Sequence, residues 1–281
     1  MAGQCVTAER RRPILPEVVM AADVLVTHLD RVATVTLNRP EAMNAVDLSM
    51  RRNLLAAFDE LARAPELRAV VLTGAGKSFC AGSDLKSAAA NPDSTPRRTA
   101  RTLLHDFQPL VECITRMEKP VIAALNGAAL GVGMSLALAC DFLVMADTAY
   151  LKSPFVGIGL IPDGGAAWFL TRRIGYARTL EVLMDGQKLN AARCLELGLA
   201  NRVVAPDSLA HAAATWAAEL AEKAPIAMAL TKRVARLSMS IGLSEALTLE
   251  AELQTVCAGT EDAREAIAAF GEKRTPTFKG R

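Results

Sequence analysis

Phe79-Cys80-Ala81-Gly82-Ser83-Asp84 and Asn126-Gly127-Ala128-Ala129-Leu130-Gly131-Val132-Gly133-Met134-Ser135 are the two stretches whose reading decides the fold. Each follows an apolar run that reads as a buried strand, and each opens a helix. Main-chain N–H groups at such a turn have no intrahelical acceptor and sit at the positive end of the helix dipole, so they can hold an oxygen that gains negative charge during a reaction. Small residues let a ligand approach the backbone. One such segment alone would read as a tight connection. Two in this order point to a paired oxyanion hole.

Working outward, Val24–Leu29 and Val32–Leu37 are rich in β-branched residues and separated by Asp30-Arg31, which predicts a hairpin. Asp47 is placed to cap a helix whose apolar positions Leu54, Leu55, Phe58, Leu61 and Ala62 follow helical spacing, and residues 68–73 return as a strand. Val121–Leu125, Phe142–Ala146 and residues 199–203 read as further strands, with a helix from Met134 between the first two. Residues 88–101 are polar and proline-broken and read as a mobile loop beside the pocket. From Pro206 the pattern is helical, with Leu209, Ala213, Trp216 and Leu220 on one stripe and helices over 243–257 and 261–270. The expected organisation is a disordered extension over 1–22, a core over 23–205 and a C-terminal helical region over 206–281. Met20 is a conceivable natural start.

The 281 residues carry a formal net charge of +2 with both signs interspersed, so no broad basic face for nucleic acid or anionic membrane is implied. Half of the residues are apolar, enough for a substantial core. Six scattered cysteines and three histidines far apart in sequence suggest no metal site. Apolar neighbours around Cys80 and Cys140 suit buried free thiols and a reducing, cytoplasmic setting. Pro120 through Cys140 carries no charge, but Asn126 and the glycines at 127, 131 and 133 divide it into a buried strand, a turn and a buried helix rather than a membrane span.

The paired glycine turns, from about Val24 to the C-terminus, resemble the crotonase family, the enoyl-CoA hydratase/isomerase superfamily. The resemblance implies an α/β spiral of repeated strand-strand-helix units with a C-terminal helical layer, assembled as a homotrimer or a dimer of trimers. It implies an acyl-CoA substrate, whose thioester oxygen accepts N–H groups from Ser83 and Val132, and no cofactor beyond the coenzyme A of that substrate. By the same resemblance, CoA lies across Ala42 and Met43 and along Ala81, Ser83, Asp84, Leu85 and Lys86. Gly131 and Phe155 border the acyl group, and Lys273 meets a CoA phosphate. The alternative for Lys273 is complementing a helix C-terminus.

Hydratases of this family use two glutamates, and this chain has neither: Ser135 stands where the first belongs and Phe155 where the second belongs. A serine hydroxyl is a poor base near neutral pH, and phenylalanine has no proton chemistry. The remaining carboxylate, Asp163 in Gly159-Leu160-Ile161-Pro162-Asp163-Gly164-Gly165, matches the catalytic acid of enoyl-CoA isomerases and of the ring-opening isomerases of phenylacetate breakdown. Isomerisation needs only one carboxylate. The competing reading is a helix N-cap, since Pro-Asp-Gly-Gly is ordinary turn sequence. No other carboxylate is expected near Asp163, and Phe155, Leu160, Ile161 and Trp168 are expected to surround it and raise its pKa. Asp84 and Asp141 read as structural. The alternatives are an atypical hydratase, lyase or hydrolase of the family, and a weakly active CoA-binding paralogue.

Overall fold

The computed structural model describes residues 19–85 and 95–281; Lys86, expected to hold CoA, lies outside the described residues. Strands β1 (Val19–Ala21), β2 (Val24–Leu29) and β3 (Val32–Leu37) pair antiparallel in succession, β1 with β2 and β2 with β3, with Asp30 at a φ of +52° in the hairpin turn. Val19–Ala21, inside the segment expected to be an extension, therefore belongs to the sheet. Helix α1 (Leu48–Arg63) begins where expected, Asp47 accepting the N–H of Met50, and buries Met50, Leu54, Phe58 and Leu61.

Chain direction then becomes parallel. β4 (Ala69–Gly74) pairs with β3, and β6 (Val121–Leu125), β8 (Phe142–Ala146) and β11 (Arg202–Val204) add in turn, giving the order β1-β2-β3-β4-β6-β8-β11. β6 is buried at every position, as strands covered on both faces must be. A second sheet, β10-β9-β7-β5, contains β5 (Ser78–Cys80), β7 (Ala128–Leu130), β9 (Tyr150–Lys152) and β10 (Leu189–Asn190). β5 and β7 run parallel side by side, so the two glycine turns that follow them emerge together.

Two expectations shift. The last strand of the large sheet starts at Arg202, not at Leu199, because the N–H groups of Leu199 and Ala200 both bond back to Cys194 O and close the preceding helix. Within the predicted loop, Pro96–Thr102 is helical (α2), proline being tolerated in a first turn whose N–H groups need no partner. Helix α3 (Gln108–Arg116) follows.

Helix α4 (Val132–Ala139) is buried at all eight positions, which explains the uncharged run around it. No helix among the described residues is long and apolar enough to cross a membrane. Helix α5 (Ala166–Asp185) and the short α6 (Ala191–Glu196) precede the C-terminal layer of α7 (Leu209–Ala221), α8 (Pro225–Leu237), α9 (Leu243–Ala258) and α10 (Glu261–Glu272). Only α7 buries a full stripe, Leu209, Ala213, Ala217 and Ala221, with Trp216 and Leu220 half-buried beside it.

One polar side chain ties the entry loop to the second sheet. Asn44, wholly buried at a φ of +55°, accepts the N–H of Arg39 and donates to Ala75 O and Ser78 O. Asn44→Ala leaves those groups short of partners and puts a Cβ-bearing residue without a local hydrogen bond in the left-handed region, so we expect a loss of about 2–4 kcal/mol in urea unfolding. Exposed Asn38, with one bond to Ala22 O, should lose less than about 1 kcal/mol as alanine.

Candidate active site

The first turn is aimed by its neighbour strand. Val46 N donates to Gly82 O at 2.7 Å and Asp84 N donates to Val46 O at 3.1 Å. In extended chain successive N–H groups alternate sides, so the N–H of Ser83 faces away from Val46. The second turn presents its donor differently. Val132 is the first residue of α4, whose N-cap Gly131 supplies no side-chain bond, and Ser135 N is the first to reach back, to Gly131 O. As the first N–H of the helix, that of Val132 has no intrahelical acceptor.

Glycine brings the two turns together. A Cβ on Gly82 would stand 2.8 Å from Leu130 O and 3.6 Å from Val132 N, and one on Gly133 would stand 2.4 Å from Cys80 O. Main chain therefore touches main chain between the turns. Burial pushes the Cys80 thiol beneath them up to about 12, so it stays protonated and is no nucleophile at neutral pH.

Around this centre the residues expected to hold CoA fall as follows. Met43 O accepts Ala81 N, and Arg39 reaches Asp47 at 2.9 Å and Asp84 at 3.1 Å, so the loop carrying Ala42 and Met43 is stitched to the first turn. Asp84 is thus an ion-pair partner of Arg39, in keeping with its reading as structural. Met43 and Leu85 are exposed apolar side chains on these two joined segments. Phe155 is buried with its ring against Gly131, a ring atom lying 3.5 Å from where a Cβ would be. Lys273 is the left-handed C-cap of α10 at a φ of +54°, its N–H reaching back to Phe270 O, and lines none of the clefts described below. Within one chain its observed role is the capping one.

Asp163 sits over α4. Ser135, fully buried, donates its hydroxyl to Asp163 O at 2.8 Å, and Gly164, at a φ of +60°, packs so closely that an added Cβ would lie 2.8 Å from Ser135 Cβ. The N-cap of α5 is Gly165 and no side chain caps it, so the capping reading of Asp163 fails. Its Oδ1 is buried with no hydrogen-bond partner among the described residues. Desolvation raises its pKa to about 6. A carboxylate so placed exchanges a proton near neutral pH.

The walls differ from expectation. Trp168 lines the cleft of about 650 Å³ with Asp163 as expected, whereas Leu160 and Ile161 are exposed and Phe155 packs on Gly131; Leu103, Val111, Phe169 and Leu237 supply the other walls. Asp163 also has company. Glu112 of α3 lines the same cleft, held by Gln108 at 2.9 Å and Arg116 at 3.3 Å. No local pattern signals it, because a helix face more than fifty residues upstream had to be brought across. Asp141 is structural as expected, accepting Val121 N at 2.8 Å and Lys232 Nζ at 2.7 Å. Among the described residues no cluster of metal-binding side chains occurs.

A parallel-sheet spiral carrying two apposed main-chain donors and a desolvated carboxylate has the chemical means to hold an oxyanion and to exchange a proton beside it. The chain belongs to the enoyl-CoA hydratase/isomerase family, whose model matches residues 28–281, and thus to the crotonase superfamily. It is 39% identical to a probable enoyl-CoA hydratase of Rhodobacter capsulatus over 89% of this chain and 95% of that one. It is 34% identical to the 1,2-epoxyphenylacetyl-CoA isomerase of Escherichia coli over 92% and 99%. The crystal structure of an enoyl-CoA hydratase from Bacillus anthracis superposes with a TM-score of 0.88 at 32% identity, covering 92% of this chain and all of that one.

Because the Asp163 carboxyl is raised in the folded state above its ordinary 3.8, the folded protein holds that proton more tightly than the unfolded chain. Stability contributed by the group is therefore present at low pH and is lost as pH rises from about 4 through about 6. Asp163→Asn removes this dependence. We expect the variant to be more stable than wild type by about 1–2 kcal/mol above pH ~7, after allowing for partial exposure, and to show no gain below pH ~4 in urea titrations.

Proposed function

We propose that this enzyme isomerises the double bond of an acyl-CoA, 3-enoyl to 2-enoyl, or carries out the related ring-opening isomerisation of an aromatic acyl-CoA epoxide. The observation that carries this reading is the desolvated Oδ1 of Asp163, without a hydrogen-bond partner among the described residues, on a turn bonded through Ser135 to the helix that presents the Val132 donor. In the enoyl case ionised Asp163 removes a proton from C2, and the N–H groups of Ser83 and Val132 hold the resulting dienolate oxygen. The same carboxyl returns the proton to C4. Coenzyme A enters as part of the substrate, over Met43, Leu85 and the first turn. The family resemblance to the Escherichia coli isomerase supports this choice.

Hydration is the second reading, favoured by Glu112 in the same cleft, which could pair with Asp163 to hold and activate a water. The name of the Rhodobacter capsulatus relative points the same way. Side-by-side rates with 3-hexenoyl-CoA and crotonyl-CoA decide between them, and we expect isomerisation to exceed hydration by far. A brisk hydratase that loses activity as Glu112→Gln and isomerises nothing would replace the first reading with the second.

Assembly as a trimer or dimer of trimers belongs to the proposal too. Exposed apolar side chains gather on the outer elements, Tyr176 and Met184 on α5, Leu243 and Leu247 on α9, Ile267 and Phe270 on α10. Light scattering after gel filtration tests it.

We expect Asp163→Asn to bind acyl-CoA and lose about 10²–10⁴-fold in turnover. Ser83→Ala should stay active, since its donor is main chain. Val132→Pro removes the donor itself and should cost about 10²–10³-fold, scored only if circular dichroism and oligomer size match wild type.

A further inference from the structure

Beside the Asp163 cleft lies a second chamber of about 450 Å³, walled by Leu138, Phe142, Met228, Ala235 and Met239. The two cavities share a partition, Thr115, Trp168, Phe169 and Arg236, with the Arg236 guanidinium bonded to Thr115 O across it. A group that outgrows the first cleft meets this partition next.

The charge in the chamber is what distinguishes it from a plain alkyl pocket. Arg172, Arg173 and Arg236 all line it, and every hydrogen bond they make among the described residues goes to a main-chain carbonyl. Arg173 donates to Leu138 O at 2.7 Å and Cys140 O at 2.8 Å. Arg172 stacks on the Trp168 ring at 3.9 Å with one long contact, 3.5 Å, to Trp168 O. No carboxylate forms an ion pair with any of the three among the described residues. Two acids face the same space. Asp141 is held by Lys232 and also offsets the charge of Arg173, which leaves Glu118 against Arg172 and Arg236. Guanidinium forks in apolar surroundings are satisfied best by a carboxylate, which takes two parallel N–H bonds.

We propose that the acyl group this enzyme accepts ends in a carboxylate, and that the carboxylate seats in this second chamber against Arg172 and Arg236. The inference rests on the reading of the Asp163 cleft as the acyl site, and deepens it by naming the substrate class: thioesters of dicarboxylic acids.

The test uses saturated thioesters, which bind without reacting, so that its outcome is independent of whether the enzyme isomerises or hydrates. Succinyl-, adipyl-, suberyl- and sebacyl-CoA are compared by calorimetry with butyryl-, hexanoyl-, octanoyl- and decanoyl-CoA on the full-length assembled protein. We expect at least one dicarboxylic member to bind about tenfold or more tightly than its monocarboxylic partner, a difference that salt weakens. Arg172→Gln, at an exposed position, should abolish that preference while leaving monocarboxylic binding as in wild type, and Arg172→Lys should keep part of it. Arg236→Gln supplies a second reading of the same preference. Equal binding within every pair overturns the proposal, as does a preference that survives both glutamine variants. Failure of the isomerase reading would show instead in the turnover assays, with these affinities unchanged.

Discussion

The structure depends on main chain touching main chain between the two strand-to-helix turns. Gly82 lies against Leu130 O and Gly133 against Cys80 O at separations that leave no room for a Cβ. That approach requires β5 and β7 to lie side by side and parallel, which requires a crossover connection between them, which the spiral supplies through β6. The donors it creates belong to the backbone. An oxyanion hole of the kind proposed here resists side-chain substitution but is sensitive to any change that spreads the two strands.

The charged groups sort by the same geometry. Asp84 is held by Arg39 and Asp141 by Lys232, and each of these pairs joins segments distant in sequence. Their carboxylates are engaged in holding the fold. Asp163 is the exception: its main chain is anchored through Ser135 while its Oδ1 has no partner among the described residues. Position is fixed through one atom and reactivity is left to another. A carboxylate bonded through its oxygens would be better for stability and worse for proton exchange.

Much of this was legible in the sequence. Val121–Leu125 and Phe142–Ala146 were readable because a doubly covered strand is an apolar run with sharp ends, and the hairpin because β-branched runs flank Asp30-Arg31. The turns and Asp163 were readable through their glycines. Residues 199–203 misled because Leu199 and Ala200 are apolar for a different reason, closing α6 under the sheet. Pro96 misled because a proline that ends one helix pattern also starts another. The walls of the cleft were not legible at all. Leu103, Val111 and Glu112 meet Asp163 only after the chain has wound around the sheet, and no local pattern records that meeting.

Ser135 has a consequence beyond its hydrogen bond. A Cβ on Gly164 would lie 2.8 Å from Ser135 Cβ, so the residue at 135 and the turn that carries Asp163 are packed directly on one another. A glutamate at 135 would displace the turn that carries Asp163. The size of residue 135 and the shape of the 163–164 turn therefore constrain each other, so a bulkier side chain at 135 calls for a compensating change in the turn.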